Sequence, residues 1–533
     1  MSSNGSIDLE KTATSSTSGS IAISKTSSGN PIIYKAHHEA STIELCYDLF
    51  FVANLATLIN YFKLFTLLWF TWLSTTLFDV RFSIDSVWNR LCKAVQFGVM
   101  TAFVFCGPIF DKYDTADDVR AYKSFAVVLC VSRSVIGVQY FVVMVQGRMF
   151  RQTLLPVGLS GLVHVCGSVA FLVTHFAFPH GGFTECGFRF VIAIVEGLLI
   201  FTIAIFWRIV SFKYTHLVER LQLLTLIIIG EGIIGMVKSV ACITKGQSTN
   251  NSTEIGTVTA AVLLLYLLWM LYFDQLSHDR FGTVRQQIWS LLHYPLHGAI
   301  LFCVEGNTSL IVWNSAVQGL KWIWSITPPN IAQPAAGFST SEAYIDHLNT
   351  TMWDVQARFK SKPWNATYPW TRNLTAIANY TSTYGFATPE WNNRTSDIIT
   401  RMFNNAQEFV FEAHADTLGK LNAVTTPNQS AAAHLQAIYD VFNVTVLQFY
   451  IGAGSMLLLL AVMYWFNKSH KTKLEFGEMI TRVVVGFALI VVGVAAVMAD
   501  KTTKGFKFSA SNWIIAIVVL LFLLGKSRPN SSA

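Results

Sequence analysis

The sequence predicts an all-α protein: a polytopic transmembrane helix bundle of about twelve helices in two parallel six-helix pseudo-repeats, with a small extracytosolic insert. Three observations carry this. Hydrophobic residues make up 52% of the 533-residue chain and charged residues only 13%, roughly half the charged share of an ordinary globular domain. Apolar stretches of about 18–25 residues recur, the length that crosses a hydrocarbon core as a helix. One long polar stretch interrupts them. A soluble chain with so little charge lacks the polar surface to cover itself. The net charge of +7 does not point to nucleic acid, because the Lys and Arg residues sit in short clusters between apolar stretches and form no single patch.

Hydropathy places helices near 44–62, 64–80, 89–108, 122–145, 153–175, 188–210, 217–239, 256–275, 286–309, 446–466, 478–499 and 509–525. Residues 1–40 read as a disordered cytosolic tail; the first thirty are rich in Ser, Thr and Gly and show no apolar core of a cleavable signal peptide. The expected organisation is a first membrane half over 41–215, the start of a second over 216–319, a polar insert over 320–445, three last helices over 446–526 and a short cytosolic tail over 527–533.

Two signals orient the bundle. Asn-X-Ser/Thr acceptors for glycosylation cluster in the insert at Asn349, Asn365, Asn373, Asn379, Asn393, Asn428 and Asn443, with Asn250 and Asn251 in a loop on the same side by count of crossings. The opposite loops carry Arg81, Arg90, Arg148, Arg151, Arg208, Lys213, Arg280, Arg285, Lys468, Lys471 and Lys473, the positive-inside pattern. The loop with Lys501, Lys504 and Lys507 breaks it. Both termini are then cytosolic, in the plasma membrane or a vacuolar or other endomembrane. Cys186 and Cys242, near the outer surface, form one disulfide candidate or remain two free thiols.

A short self-similarity supports the two halves. Ile43-Glu44-Leu45 matches Val218-Glu219-Arg220-Leu221, and Leu77-Phe78-Asp79-Val80-Arg81 matches Leu271-Tyr272-Phe273-Asp274, each preceded by a Trp (Trp72, Trp269) and followed by an Arg at the next helix (Arg90, Arg285). Six spans per half make such a repeat parallel, as in many secondary transporters.

Four blocks in the same order resemble the bacterial low temperature requirement A family: Glu44-Leu45-Cys46-Tyr47-Asp48-Leu49-Phe50-Phe51-Val52; Glu219-Arg220-Leu221 through Gly230-Glu231; Trp269-Met270-Leu271-Tyr272-Phe273-Asp274; and His293-Tyr294-Pro295-Leu296. The resemblance covers roughly 40–310, and the insert makes the chain similar to fungal members. It implies a multi-pass membrane architecture and no particular mechanism.

Ionisable residues within apolar stretches are therefore the functional candidates, since a charge at mid-bilayer costs a few kcal/mol or more unless paired or wetted. One set lies at the cytosolic helix ends: Glu44, Asp48, Asp79, Arg81, Glu219, Arg220 and Asp274, with Arg280 nearby. It reads as a cytosolic gate divided between the halves, or as static pinning of helix ends. A deeper set, Arg133, His164, Glu196, Glu231, His293, His297 and Glu305, reads as a substrate or proton pathway; static pairing of Arg133 with one Glu is the alternative. A Gly follows each of the three acids, permitting close helix contact or a local irregularity. His293 and His297 are four apart, a metal-compatible spacing, but nothing else in the sequence completes a site, so no metal is expected.

Gly-X-Ser-X-Gly, Walker and His-Glu-X-X-His motifs are absent, so neither an enzyme nor a cofactor is expected. Gly158-Leu159-Ser160-Gly161 reads as small-residue packing. In the insert, helical spacing around Ile398–Leu421 and the tryptophans Trp353, Trp364, Trp370 and Trp391 predict a packed cap, acting as a lid, a glycosylated spacer or a dimer contact. The expected function is transport of a small solute or ion with proton coupling; the expected partners are membrane lipid, that substrate and a second copy of the chain. The alternatives are a lipid-binding sensor or scaffold and an intramembrane enzyme.

Overall fold

The computed structural model describes residues 23–25, 31–33, 41–58, 62–82, 84–106, 116–177, 183–207, 210, 212, 215–246, 252–274, 283–359, 370–414, 431–468, 471–502 and 508–525. Its helices are α1 Thr42–Leu58, α2 Phe62–Phe82, α3 Val87–Cys106, α4 Ala116–Gln146, α5 Arg151–Ala177, α6 Phe183–Phe206, α7 Leu217–Gly246, α8 Ser252–Phe273, α9 Thr283–Ile326, α10 Ser341–Arg358, α11 Trp370–Tyr384, α12 Pro389–Ala413, α13 Ala431–Asn467, α14 Lys473–Thr502 and α15 Ile514–Leu524. A two-stranded antiparallel ladder pairs Ile23–Lys25 with Pro31–Ile33. Each predicted span overlaps one of these helices. Among the described residues eight helices, α4 to α9, α13 and α14, are long and apolar enough to cross a membrane. The protein is thus a polytopic helical membrane protein. Of the other four, α1 has 17 residues and α15 only 11, about 26 and 16 Å of helix, while α2 and α3 carry Asp79, Arg81 and Lys93, which the fold buries.

The chain divides into two compact units, Met1–Arg220 and Leu221–Ala533, with the boundary inside α7. In the first unit α4 packs along α5 through small residues. Gly161 lies against Tyr140, where an added Cβ would come within 3.0 Å of the Tyr140 Cβ, and Gly158 lies against the Met144 sulfur. Ser134 and Ser168 hydrogen-bond at 2.7 Å between the same two helices, the polar bridging that suits a hydrocarbon environment. The Gly after each membrane acid serves close contact: Gly197 meets Phe70, Gly232 meets Val304 and Gly306 meets Phe449. Their helices run unbroken past these positions, as α9 does past Pro295.

In the second unit α9 is the axis. Its 44 residues span about 66 Å, twice a hydrocarbon core of about 30 Å. The sequence reading ended this helix near 309; it continues to Ile326 because Trp313, Val317 and Leu320 are buried by protein. Trp313 stacks on Phe442 of α13 at 4.1 Å, with Tyr439 at its edge. Gly319 lets Phe359 and Val410 of the insert approach α9. The insert is a packed cap of α10, α11 and α12, as its aromatics predicted. Trp391, fully buried, donates Nε1–H to Thr381 at 3.0 Å and is edged by Phe386 and Tyr344. Thr388 caps α12 through its hydroxyl with Pro389 following, a favourable start. Gly385 at φ 78° terminates α11, where a left-handed conformation suits glycine. Trp353 is half exposed; Trp364 lies outside the described residues.

At the junction of cap and axis, His414 donates Nδ1–H to the Val410 carbonyl at 2.7 Å and faces Ser315 Oγ at 3.2 Å, and Ser315 also reaches Glu254 at 3.0 Å.

Helices α13 and α14 touch backbone to backbone at Gly454 and Gly486; a Cβ on Gly454 would stand 2.5 Å from the Gly486 carbonyl. Gly454→Val is expected to destabilise the purified protein by about 1–3 kcal/mol, read as a lower unfolding temperature in detergent. Burial holds the His414 imidazole below its ordinary range. The folded chain therefore keeps it neutral, while the unfolded chain gains a proton below about pH 6.5. Stability falls as the pH drops through that region, and His414→Asn is expected to flatten the slope in pH-dependent unfolding curves.

Candidate functional site

The first unit buries its charges in two layers. The outer layer collects at one end of the helices, where α1, α3 and α7 begin and α2 ends. Arg220, fully buried, donates Nη2–H to Asp48 Oδ1 at 2.6 Å and lies 3.6 Å from Glu44 Oε2 through Nη1. Trp72 adds an Nε1–H to the same Asp48 oxygen at 2.7 Å. Glu44 also accepts the Ser41 backbone N–H at 2.8 Å and meets His216 Nε2 at 3.3 Å. Asp79 is ion-paired with Lys93, whose ammonium lies over the Tyr47 ring at 4.8 Å. Arg81 rests on the face of Phe212, 3.6 Å to the centroid. Acids and bases balance three to three here, counting Glu44, Asp48 and Asp79 against Arg81, Lys93 and Arg220. Such balance is what makes the burial tolerable.

The inner layer sits near the middle of α2, α4, α5 and α6. Arg133 donates Nε–H to Glu196 Oε2 at 2.8 Å and Nη1–H to Thr71 at 3.1 Å. The other Glu196 oxygen faces His164 Nδ1 at 2.5 Å. All three side chains are at most 3% exposed. One carboxylate is thus clamped between a guanidinium and an imidazole, with Gly167 leaving room for it. Ser132 and Gln96 exchange two hydrogen bonds alongside, at 2.9 and 3.0 Å.

Of the expected pathway residues, then, Arg133, His164 and Glu196 converge. In the second unit Glu231 and Glu305 are only partly buried. His293 accepts or shares a hydrogen with Tyr272 at 2.9 Å through Nε2 and donates Nδ1–H to Trp289 O at 3.0 Å. His297 directs Nε2 at Thr225, 2.8 Å away. Among the described residues no three His, Cys, Asp or Glu side chains gather as a metal site.

The expected gate needs correction. Glu44, Asp48, Asp79, Arg81 and Arg220 form one cluster in the first unit, whereas Glu219 is only partly buried and Asp274 is exposed at the end of α8. The pairing of one similar charge group per half is not kept, because only the first copy of each matched acid is enclosed by packed helices. Arg280 lies outside the described residues. Lys93, His216, Thr71 and Trp72 were not singled out as partners. Arg90, matched in the repeat, instead pairs with exposed Asp85 at 2.8 Å.

Two further expectations change. Cys242 is a buried free thiol, so the disulfide with Cys186 is not formed; the Cys186 side chain lies outside the described residues. Among the glycosylation acceptors, Asn373, Asn379 and Asn393 have at least partial exposure and Asn349 accepts a hydrogen bond from Trp370 at 3.2 Å. Asn443 is enclosed in α13 at 3% exposure, which leaves no room for a glycan there. Asn250, Asn251, Asn365 and Asn428 lie outside the described residues.

Residues 39–316, more than half of the chain, match the family model described as bacterial low temperature requirement A protein (LtrA). The chain belongs to the LtrA family. No curated protein and no solved structure matches it. The LtrA match contains both charge layers and runs from just before α1 into the outer part of α9, leaving the cap and α13 to α15 beyond it.

Removing Arg133 strands Glu196 without its main cation. Arg133→Ala is expected to cost about 3–5 kcal/mol, while the apolar double replacement Arg133→Met with Glu196→Leu recovers most of that. Unfolding of the two variants in detergent checks the order.

Proposed function

We propose that this LtrA-family protein is a proton-coupled transporter of a small solute or ion, with Arg133, Glu196 and His164 as the proton-binding element. The reading rests on the clamped carboxylate at mid-helix. An imidazole can take up a second proton. With Nδ1 committed to Glu196, a proton gained by His164 resides on the ring's other nitrogen and takes the group from net neutral to +1. An uncompensated charge at that depth costs several kcal/mol. Protonation must therefore bring either a rearrangement of helices or a counter-charge, which is the linkage a coupled transporter needs.

In this reading the outer cluster of Asp48, Asp79, Lys93 and Arg220 closes the cytosolic end. The basic loops and both termini face the cytosol, and the cap is extracytosolic and glycosylated. Two shared ion pairs hold that end shut, and a solute passes only when they part.

The test uses full-length protein in vesicles loaded with a pH-sensitive dye and challenged with a panel of solutes. Wild type is expected to show internal pH changes that depend on one class of solute, and Glu196→Gln and His164→Gln each to abolish them in protein that still elutes as a monodisperse species. Flux of unchanged size and pH dependence in both variants sinks the proposal.

A further inference from the structure

Among the buried side chains of the first unit whose polar atoms lack a hydrogen-bond partner, three touch in series. Arg81, 3% exposed, leaves Nε and Nη2 unpartnered; Tyr140, 1% exposed, leaves its hydroxyl; His164, 1% exposed, leaves Nε2. The Tyr140 hydroxyl lies beside the Arg81 guanidinium and interacts with it. Its ring stacks on His164 at 5.4 Å between centroids. Arg81 is next to the end of α2, Tyr140 six residues before the end of α4, and His164 thirteen residues into α5. These helix ends share one side by alternation, so Arg81 lies nearer the end of the bundle and His164 deeper.

These groups have one chemistry in common. A guanidinium only donates, a phenol donates readily, and an imidazole whose Nδ1 is committed to Glu196 gains a second N–H at Nε2 on protonation. Of the charged groups around His164, Arg133 engages Glu196 through Nε and keeps Nη2 without a partner. On α6, Glu196 takes Arg133 and His164, and Arg189 donates to Thr174 at 3.3 Å. On α2, Asp79 is paired with Lys93. On α5 itself His175 faces the Lys123 carbonyl at 3.0 Å. Beyond the Tyr140 hydroxyl beside Arg81 the set holds no acceptor for these donors, and native proteins seldom leave buried donors idle.

We propose that Arg81, Tyr140 and His164 form a binding site for a small oxyanion, a carboxylate or an inorganic oxyanion. Nε and Nη2 of Arg81 present the parallel pair of donors that two oxygens of such an anion accept, the geometry in which Arg is strongest. Tyr140 supplies a third donor and protonated His164 a fourth. The inference rests on the proton-coupled reading and gives it a substrate class, because the anion's charge offsets the proton on His164. The pair then crosses the low-dielectric layer without net charge. Phe78 and Phe82 pack against the Tyr140 ring at 5.2 and 5.7 Å, so the described form is closed. An anion is admitted when the end of α2 parts from α4.

The experiment follows thermal unfolding of the full chain in detergent, in sodium chloride, with sodium acetate, nitrate, sulfate or phosphate added at constant ionic strength. At least one of the four is expected to raise the unfolding temperature saturably. Arg81→Gln should weaken the apparent affinity about tenfold or more, and Tyr140→Phe, which removes one oxygen and keeps the packing, about fivefold. No saturable shift with any of the four overturns the site, as does a shift that both variants leave intact; the donors then belong to buried water. Proton uptake on anion addition, measured in weakly buffered solution, separates the two claims. Binding that both variants weaken, without proton uptake, keeps the site and sinks the coupling.

Discussion

The carboxylate of Glu196 cannot be buried at mid-helix alone, and Arg133 cannot either. Each carries a desolvation cost of several kcal/mol that only the other's proximity offsets. Their 2.8 Å contact therefore constrains the rotation of α4 against α6, and through His164 that of α5. Thr71 extends the same constraint to α2. Four helices are oriented by one ion pair and its hydrogen bonds. The close glycine contacts follow from that orientation, since Gly161 can pack on Tyr140 only when α4 turns Arg133 inward.

The outer cluster repeats the logic at lower cost. Near a helix end water and headgroups lie close, so the cluster tolerates more polar atoms, including His216 and the Ser41 amide. Its aromatic partners are as informative as its acids. Trp72 donates to Asp48, Tyr47 lies under Lys93, and Phe212 lies under Arg81. Cation–π contact stabilises a buried cation without adding a second charge. These aromatic residues let three acids and three bases share a small volume without stray charge.

Much of this was legible in the sequence. Twelve apolar stretches gave twelve helices, because the bilayer length sets the pattern. Arg133, His164 and Glu196 stood out singly, because charges are rare in such stretches. Their union was not legible: they sit on three helices, and side-chain pairing depends on helix rotation, which hydropathy does not encode. Lys93 shows the same limit. It lies three residues beyond Arg90, nearly a full turn, and only packing decides that Lys93 turns inward while Arg90 meets solvent. The end of α9 was misjudged for a related reason. Residues buried under a protein cap and residues buried in lipid have the same composition.

The two units handle polarity differently, and the difference bears on mechanism. In the first, the described buried charges are Glu44, Asp48, Asp79 and Glu196 against Arg81, Lys93, Arg133, Arg189 and Arg220, one cation more than acids. In the second, Glu254, Glu475 and Arg482 are the buried charges among the described residues, and polarity rests on hydrogen-bonded side chains such as His293, His297 and Asn314. Neutral hydrogen bonds hold one geometry with little dependence on pH or on a passing ion. A surplus cation does the opposite: it raises the affinity of its surroundings for anions and makes the local structure depend on proton count. In the proposed function the ion chemistry is concentrated in the first unit, and the described polar groups of the second hold its helices together by hydrogen bonds.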